Sequence, residues 1–119
     1  VVFEFKRPQR EDYADDEDPI KQICRYVEKI RDGKFKTPLG RVVKANENTP
    51  AYGYLICDLT DKIRNFCSKD NSLAPSPDNE GYFGYLPGYK VYIEVISFDK
   101  LVKDSELRNK VFFRKLGLI

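Results

Sequence analysis

The spacing of hydrophobic positions changes several times along this chain, and each change predicts an element. Val1-Val2-Phe3-Glu4-Phe5-Lys6 is a short apolar run with a carboxylate and an amine set into it. On a strand, successive side chains alternate between faces, so Glu4 and Lys6 share one face and Val1, Phe3 and Phe5 the other. Arg7-Pro8 ends the run, because proline cannot continue a central ladder. Ile20, Ile23, Cys24, Val27 and Ile30 then recur at helical spacing. Asp18 is placed to cap that helix, Pro19 suits its first position, and Gly33 closes it. Ala51 to Cys57 is nearly continuous in apolar character and predicts a buried strand. Thr60 caps a further helix whose core side is Ile63, Phe66 and Cys67. Strand, helix and strand in that order predict a right-handed crossover, and so a parallel pair.

The second half predicts a hairpin and a long helix. Ser68 to Glu80 reads as a loop marked by Pro75 and Pro77. Tyr82 to Tyr85 and Lys90 to Phe98 read as strands, joined at Leu86-Pro87-Gly88-Tyr89 by a type II turn. In the longer strand Val91, Ile93 and Val95 share one face, and Tyr92, Glu94 and Ile96 the other. A last helix runs from about Asp99 to Leu116, with Leu101, Val102, Phe112, Phe113 and Leu116 on its apolar side and Gly117 at its end. Residues 34–50 carry turn signals around a short hairpin through Arg41-Val42-Val43, an excursion of the kind that often bears substrate contacts. The fold class expected is α/β: one domain over residues 1–119, with a mixed sheet flanked by three main helices.

Composition narrows the class. With 41% hydrophobic and 34% charged residues and a mean hydropathy of −0.56, the expectation is a soluble globular chain. No apolar run approaches the roughly 20 residues of a membrane span. The net charge of +2 gives no argument for nucleic-acid binding by itself. Cys24, Cys57 and Cys67 fall in or beside apolar patterns and read as reduced core thiols of a cytoplasmic protein. With no His, neither a zinc pattern nor a nucleophile–base pair is readable. The chain lacks Met and opens in what reads as a core strand, so we expect the C-terminal part of a longer protein.

The candidate chemistry lies mostly in the first quarter. Glu4 and Lys6 in so apolar a strand need partners or a metal, since burying unpaired charge is costly; the plainer alternative is an edge strand with a surface ion pair. Gln22 and Tyr26 are four apart on the first helix and share a face, either as site residues or as cover for the core edge. The polar, acidic stretch from Pro8 to Asp18 reads as a solvated loop, and its spacing matches no calcium loop. Glu94 is a second carboxylate in an apolar strand, but no Lys stands two residues after it. The last helix carries Lys100, Lys103, Arg108, Lys110, Arg114 and Lys115, which make either a solvated face or a phosphate-contacting one.

Taken together, the Glu4-Phe5-Lys6 strand and the Gln22-Ile23-Cys24-Arg25-Tyr26 helix resemble the Glu-x-Lys and Gln-x-x-x-Tyr motifs of RecB-type PD-(D/E)XK nucleases. Phe3-Glu4-Phe5-Lys6-Arg7-Pro8, Asn48-Thr49-Pro50, Ile56-Cys57-Asp58-Leu59-Thr60, Gly81-Tyr82-Phe83-Gly84-Tyr85 and Tyr92-Ile93-Glu94-Val95-Ile96-Ser97 are also similar to the C-terminal region of a group of large bacterial proteins. Those proteins carry a GHKL-type ATP-binding domain upstream. The resemblance implies a partial restriction-endonuclease-like core, acting on DNA or RNA with Mg²⁺ and joined to an ATP-binding domain. It implies Glu4 as a metal ligand, Lys6 as the group that orients water or stabilises phosphorane charge, and Gln22 and Tyr26 as positioning residues. The family's metal-binding Asp stands on a strand before Glu-x-Lys and is not in this sequence. The 119 residues alone are therefore expected to bind metal weakly and not to cleave. The alternative is a non-catalytic structural or interaction module. A third class, a small-molecule enzyme using Glu94 or Asp58, has no readable nucleophile–base pair behind it.

Overall fold

The computed structural model describes residues 1–7, 10–33, 39–40 and 45–117, with side chains for all of these except 112 and 113. The hairpin expected through Arg41-Val42-Val43 lies outside the described residues. In chain order the elements are β1 (Val2–Phe5), α1 (Pro19–Arg31), β2 (Ala51–Cys57), α2 (Asp61–Asn65), β3 (Ala74–Pro75), β4 (Gly81–Leu86), β5 (Val91–Ser97) and α3 (Phe98–Lys115). A π-helical turn, Phe66–Asp70, extends α2. The sheet order is β1-β2-β5-β4-β3. β1, β2 and β5 run parallel, and β4 and β3 return antiparallel. The chain is therefore α/β with a five-stranded mixed sheet and three helices, as the hydrophobic pattern predicts. The two-residue β3 falls inside the predicted loop, too short to leave a periodic signal.

One face of the sheet carries the core. Leu55, Cys57, Val91, Ile93 and Val95 point to it and are buried. Against them pack Ile20, Ile23 and Val27 of α1 and Ile63, Phe66 and Cys67 of the second helical segment. Asp18 fixes where α1 begins. Its Oδ1 accepts from Ile20 N at 2.9 Å and its Oδ2 from Asn71 Nδ2 at 2.8 Å. The carboxylate is buried but fully engaged, which is the condition for keeping it there.

Three expectations are corrected or refined. First, β1 is not a core strand: it is an edge of the sheet, and Phe3 and Phe5 are 60% and 61% exposed. They point away from the face that the helices cover, and nothing in the sequence states how many layers a sheet will have. Second, the acidic stretch is, in its described residues, the largely exposed loop expected, but Tyr13 and Asp18 within it are buried. Tyr13 is buried edge-on against Phe66, while Asp12 and Glu17 pair with Arg10 and Asp15 pairs with Lys62. Third, the Leu86–Tyr89 turn closes through Tyr89 N to Leu86 O at 3.2 Å, but Gly88 does not take the positive φ that type II demands. The left-handed residue is Lys90, with φ 54°. A left-handed residue after the turn suits the right-handed twist of the two strands.

Candidate functional site

Lys6 follows β1 directly and extends its ladder by one bond, donating its backbone N to Ile56 O at 3.0 Å. Its side chain therefore projects to the same face as Glu4, toward α1. Gln22 lies in the first turn of α1, where its own N donates to Asp18 O. Because Asp18 and Pro19 set the start of the helix, they also set which way Gln22 points. The result is a three-residue cluster. Lys6 Nζ stands 3.1 Å from Glu4 Oε1 and donates to Gln22 Oε1 at 2.9 Å. The Lys6 side chain is 11% exposed and that of Glu4 26%, so the pair is neither an open surface bridge nor a sealed one. Beneath it lies Cys57, close enough to feel the ammonium, although burial dominates and pushes its thiol up to about 12.

Of the other residues singled out in the sequence, Glu94 and the cations of α3 fall elsewhere. Tyr26 stands one turn after Gln22 on α1 and is 42% exposed. Glu94 aligns with Tyr54, and Tyr54 with Phe3, so it belongs to the opposite face of the sheet from Glu4. The cations of α3 divide into two groups. Lys100 is paired with Asp78, which raises the lysine's pKa and holds the carboxyl well below its usual range. Lys103, Arg108, Lys110, Arg114 and Lys115 are exposed. They form a basic helix face at some remove from the Glu4 cluster in sequence.

A metal ion does not fit the residues gathered here. Among the described residues no group of three His, Cys, Asp or Glu side chains is arranged to hold one. The one carboxylate of the cluster, Glu4, already faces an ammonium. Among the described residues no helix is long and apolar enough to cross a membrane.

Arg31 is a structural residue that the sequence does not announce. Its guanidinium donates to the carbonyls of Thr49, at 2.9 Å, Lys90, at 2.7 Å, and Tyr89. It thereby clamps the end of α1 to the β4–β5 turn and to the lead-in of β2. Those partners are 18 to 59 positions away, so no local pattern marks them.

Protein-family models, curated proteins and solved structures were all compared with this chain, and none matches.

Proposed function

We propose that the Glu4–Lys6–Gln22 cluster is half of a phosphodiester-cleaving site of the PD-(D/E)XK kind that the sequence resembles, completed by carboxylates from outside these 119 residues. One observation carries the reading: an ammonium held 3.1 Å from a carboxylate and 2.9 Å from an amide oxygen at the parallel edge of a mixed sheet. Lysine has three donors; one is directed at Gln22 Oε1, and Glu4 holds the ammonium by charge. A remaining N–H can meet a phosphate oxygen. An ammonium preset where negative charge grows in a pentavalent transition state acts electrostatically, with little reorganisation at the moment of reaction. Glu4 holds Lys6 in place, and Gln22 fixes the approach from the helix side. The Mg²⁺ implied by the resemblance has no ligand set among the described residues, so no step is assigned to it. Exposed Lys103, Arg108, Lys110, Arg114 and Lys115 supply a surface for backbone phosphates of DNA or RNA.

The test uses a polypeptide that carries this chain together with its natural flanking sequence, including any upstream ATP-binding domain. Cleavage of single-stranded, duplex and branched DNA and RNA is assayed with Mg²⁺ or Mn²⁺. Lys6→Met and Glu4→Gln should abolish cutting, with the loss in the chemical step rather than in affinity. Binding should persist in both variants and weaken steeply with salt as counterion release loses its advantage. If no substrate is bound or cut, the nuclease reading is replaced by that of an interaction module. The exposure of Phe3 and Phe5 on the sheet face away from α1, and of α3 from Ser105 to Val111, favours that second reading.

A further inference from the structure

Among the described residues, two parts of this chain lack the packing partner that their physics requires. The first is the sheet face away from α1, which the described residues cover only toward Ile56, 2% exposed at the end of β2. Parallel strands normally carry cover on both sides. Here Phe3, Phe5, Tyr52, Phe83 and Tyr85 lie on the uncovered side, each between 41% and 61% exposed. Phe3 stacks on Tyr54 at 5.0 Å, and Tyr52 meets Tyr92 at 6.3 Å, so the patch is continuous across β1, β2 and β5. Exposed apolar patches of this extent mark interaction sites.

The second is α3. Every residue from Ser105 to Val111 is exposed, which is about two turns open on all sides. A helix of this length draws most of its stability from packing rather than propensity. The apolar stripe of its sequence includes Val102 and Leu116, which are 54% and 56% exposed. No loop separates Ser97 of β5 from Phe98 of α3, and the first turn of the helix, with Lys100 beside Glu94 and Ile96, reaches the same side of the sheet. The radius of gyration, 16.7 Å, reflects the open turns that follow; a compact domain of the same length has about 13.5 Å.

We infer that each vacancy is filled by the other in a second copy of the chain: α3 of one subunit covers the aromatic sheet face of its partner, reciprocally, about a two-fold axis. Such an arrangement is isologous and closes on itself. Area agrees with it. An aromatic side chain can bury 150–250 Å², and about half of that is still open at each of five positions, or roughly 500 Å² per chain before the helix is counted. Adding the helix brings each partner to the neighbourhood of the roughly 800 Å² of a standard interface.

The test is sedimentation equilibrium of the 119-residue chain at about 100 μM, where a micromolar Kd populates the dimer. The wild-type chain should be dimeric. Val102→Glu with Leu116→Glu on the helix, and separately Phe3→Lys with Phe83→Lys on the sheet face, should each weaken the dimer by about tenfold or more. Their circular dichroism should show the strands and α1 intact. Mixing the two variant chains should restore dimers, because one intact helix then meets one intact face; a helix–helix or face–face dimer cannot be restored in this way. Val111→Glu, half a helical turn away from Val102, should leave the dimer unchanged. A monomeric wild-type chain, a dimer indifferent to both variants, a mixture that stays monomeric, or dissociation by Val111→Glu would each overturn the proposal.

Discussion

Lys6 and Gln22 are sixteen positions apart in the chain and meet at 2.9 Å, joining the end of the edge strand to the first turn of the helix laid over it. Glu4 makes the contact a cluster of three rather than a single bond. The cluster has consequences for stability that do not depend on any catalytic role.

Removing Lys6 should cost more than removing the cluster. Lys6→Met leaves a largely covered carboxylate without its ammonium, and the expected loss is roughly 1–3 kcal/mol. Glu4→Gln/Lys6→Met together should recover part of that loss, because both charges disappear. Urea melts of the wild type, both single variants and the double variant form the cycle, with a coupling energy of about 1 kcal/mol or more expected. Strict additivity would show that the pair is no more than a solvated surface bridge.

The seat of α1 on β2 predicts a contrast between two glycines. A Cβ at Gly53 would come within 2.5 Å of Ile23 Cγ2 and 2.9 Å of Ile93 Cδ1, both in the core. Gly53→Ala should therefore destabilise by about 1–3 kcal/mol, since α1 must lift or Ile23 must leave its rotamer. At Gly88 a Cβ meets nothing within 4 Å, and the backbone there is not left-handed. Gly88→Ala should be neutral within about 0.5 kcal/mol. Thermal melts of the two variants check the contrast, and an equal cost would mean that α1 does not rest on Gly53.

The thiols give the pH dependence. Burial pushes Cys24 up to about 11 and Cys57 up to about 12, and it raises Cys67 further. An unfolded thiol ionises near 8.5. Because the folded pKa is the higher, the contribution to stability is fully present below that value. It is lost as pH rises from there toward the folded pKa. The melting temperature should therefore fall steadily above about pH 8.5. Iodoacetamide at pH 8 should label the native chain slowly and the urea-unfolded chain at once, at all three sites. Rapid labelling of the native chain would show that the thiols are not enclosed.

The elements and their faces follow from local spacing along the chain. The apolar repeat from Ile20 to Ile30 with Asp18 and Pro19 before it, the continuous run at Ala51–Cys57, and the alternation through Val91, Ile93 and Val95 all reflect near-neighbour geometry. Near-neighbour geometry is written in local spacing. The same alternation put Glu4 and Lys6 on one face of β1. The sequence could not say that Lys6 would reach Gln22, that Arg31 would clamp carbonyls up to 59 positions away, or that Glu94 would sit on the opposite face from Glu4. Only the tertiary structure decided those, because they depend on the order and register in which the strands pair. It also decided that Phe3 and Phe5 are exposed. An apolar strand looks alike whether it is covered on one face or two, and the number of layers is settled by what packs on the sheet.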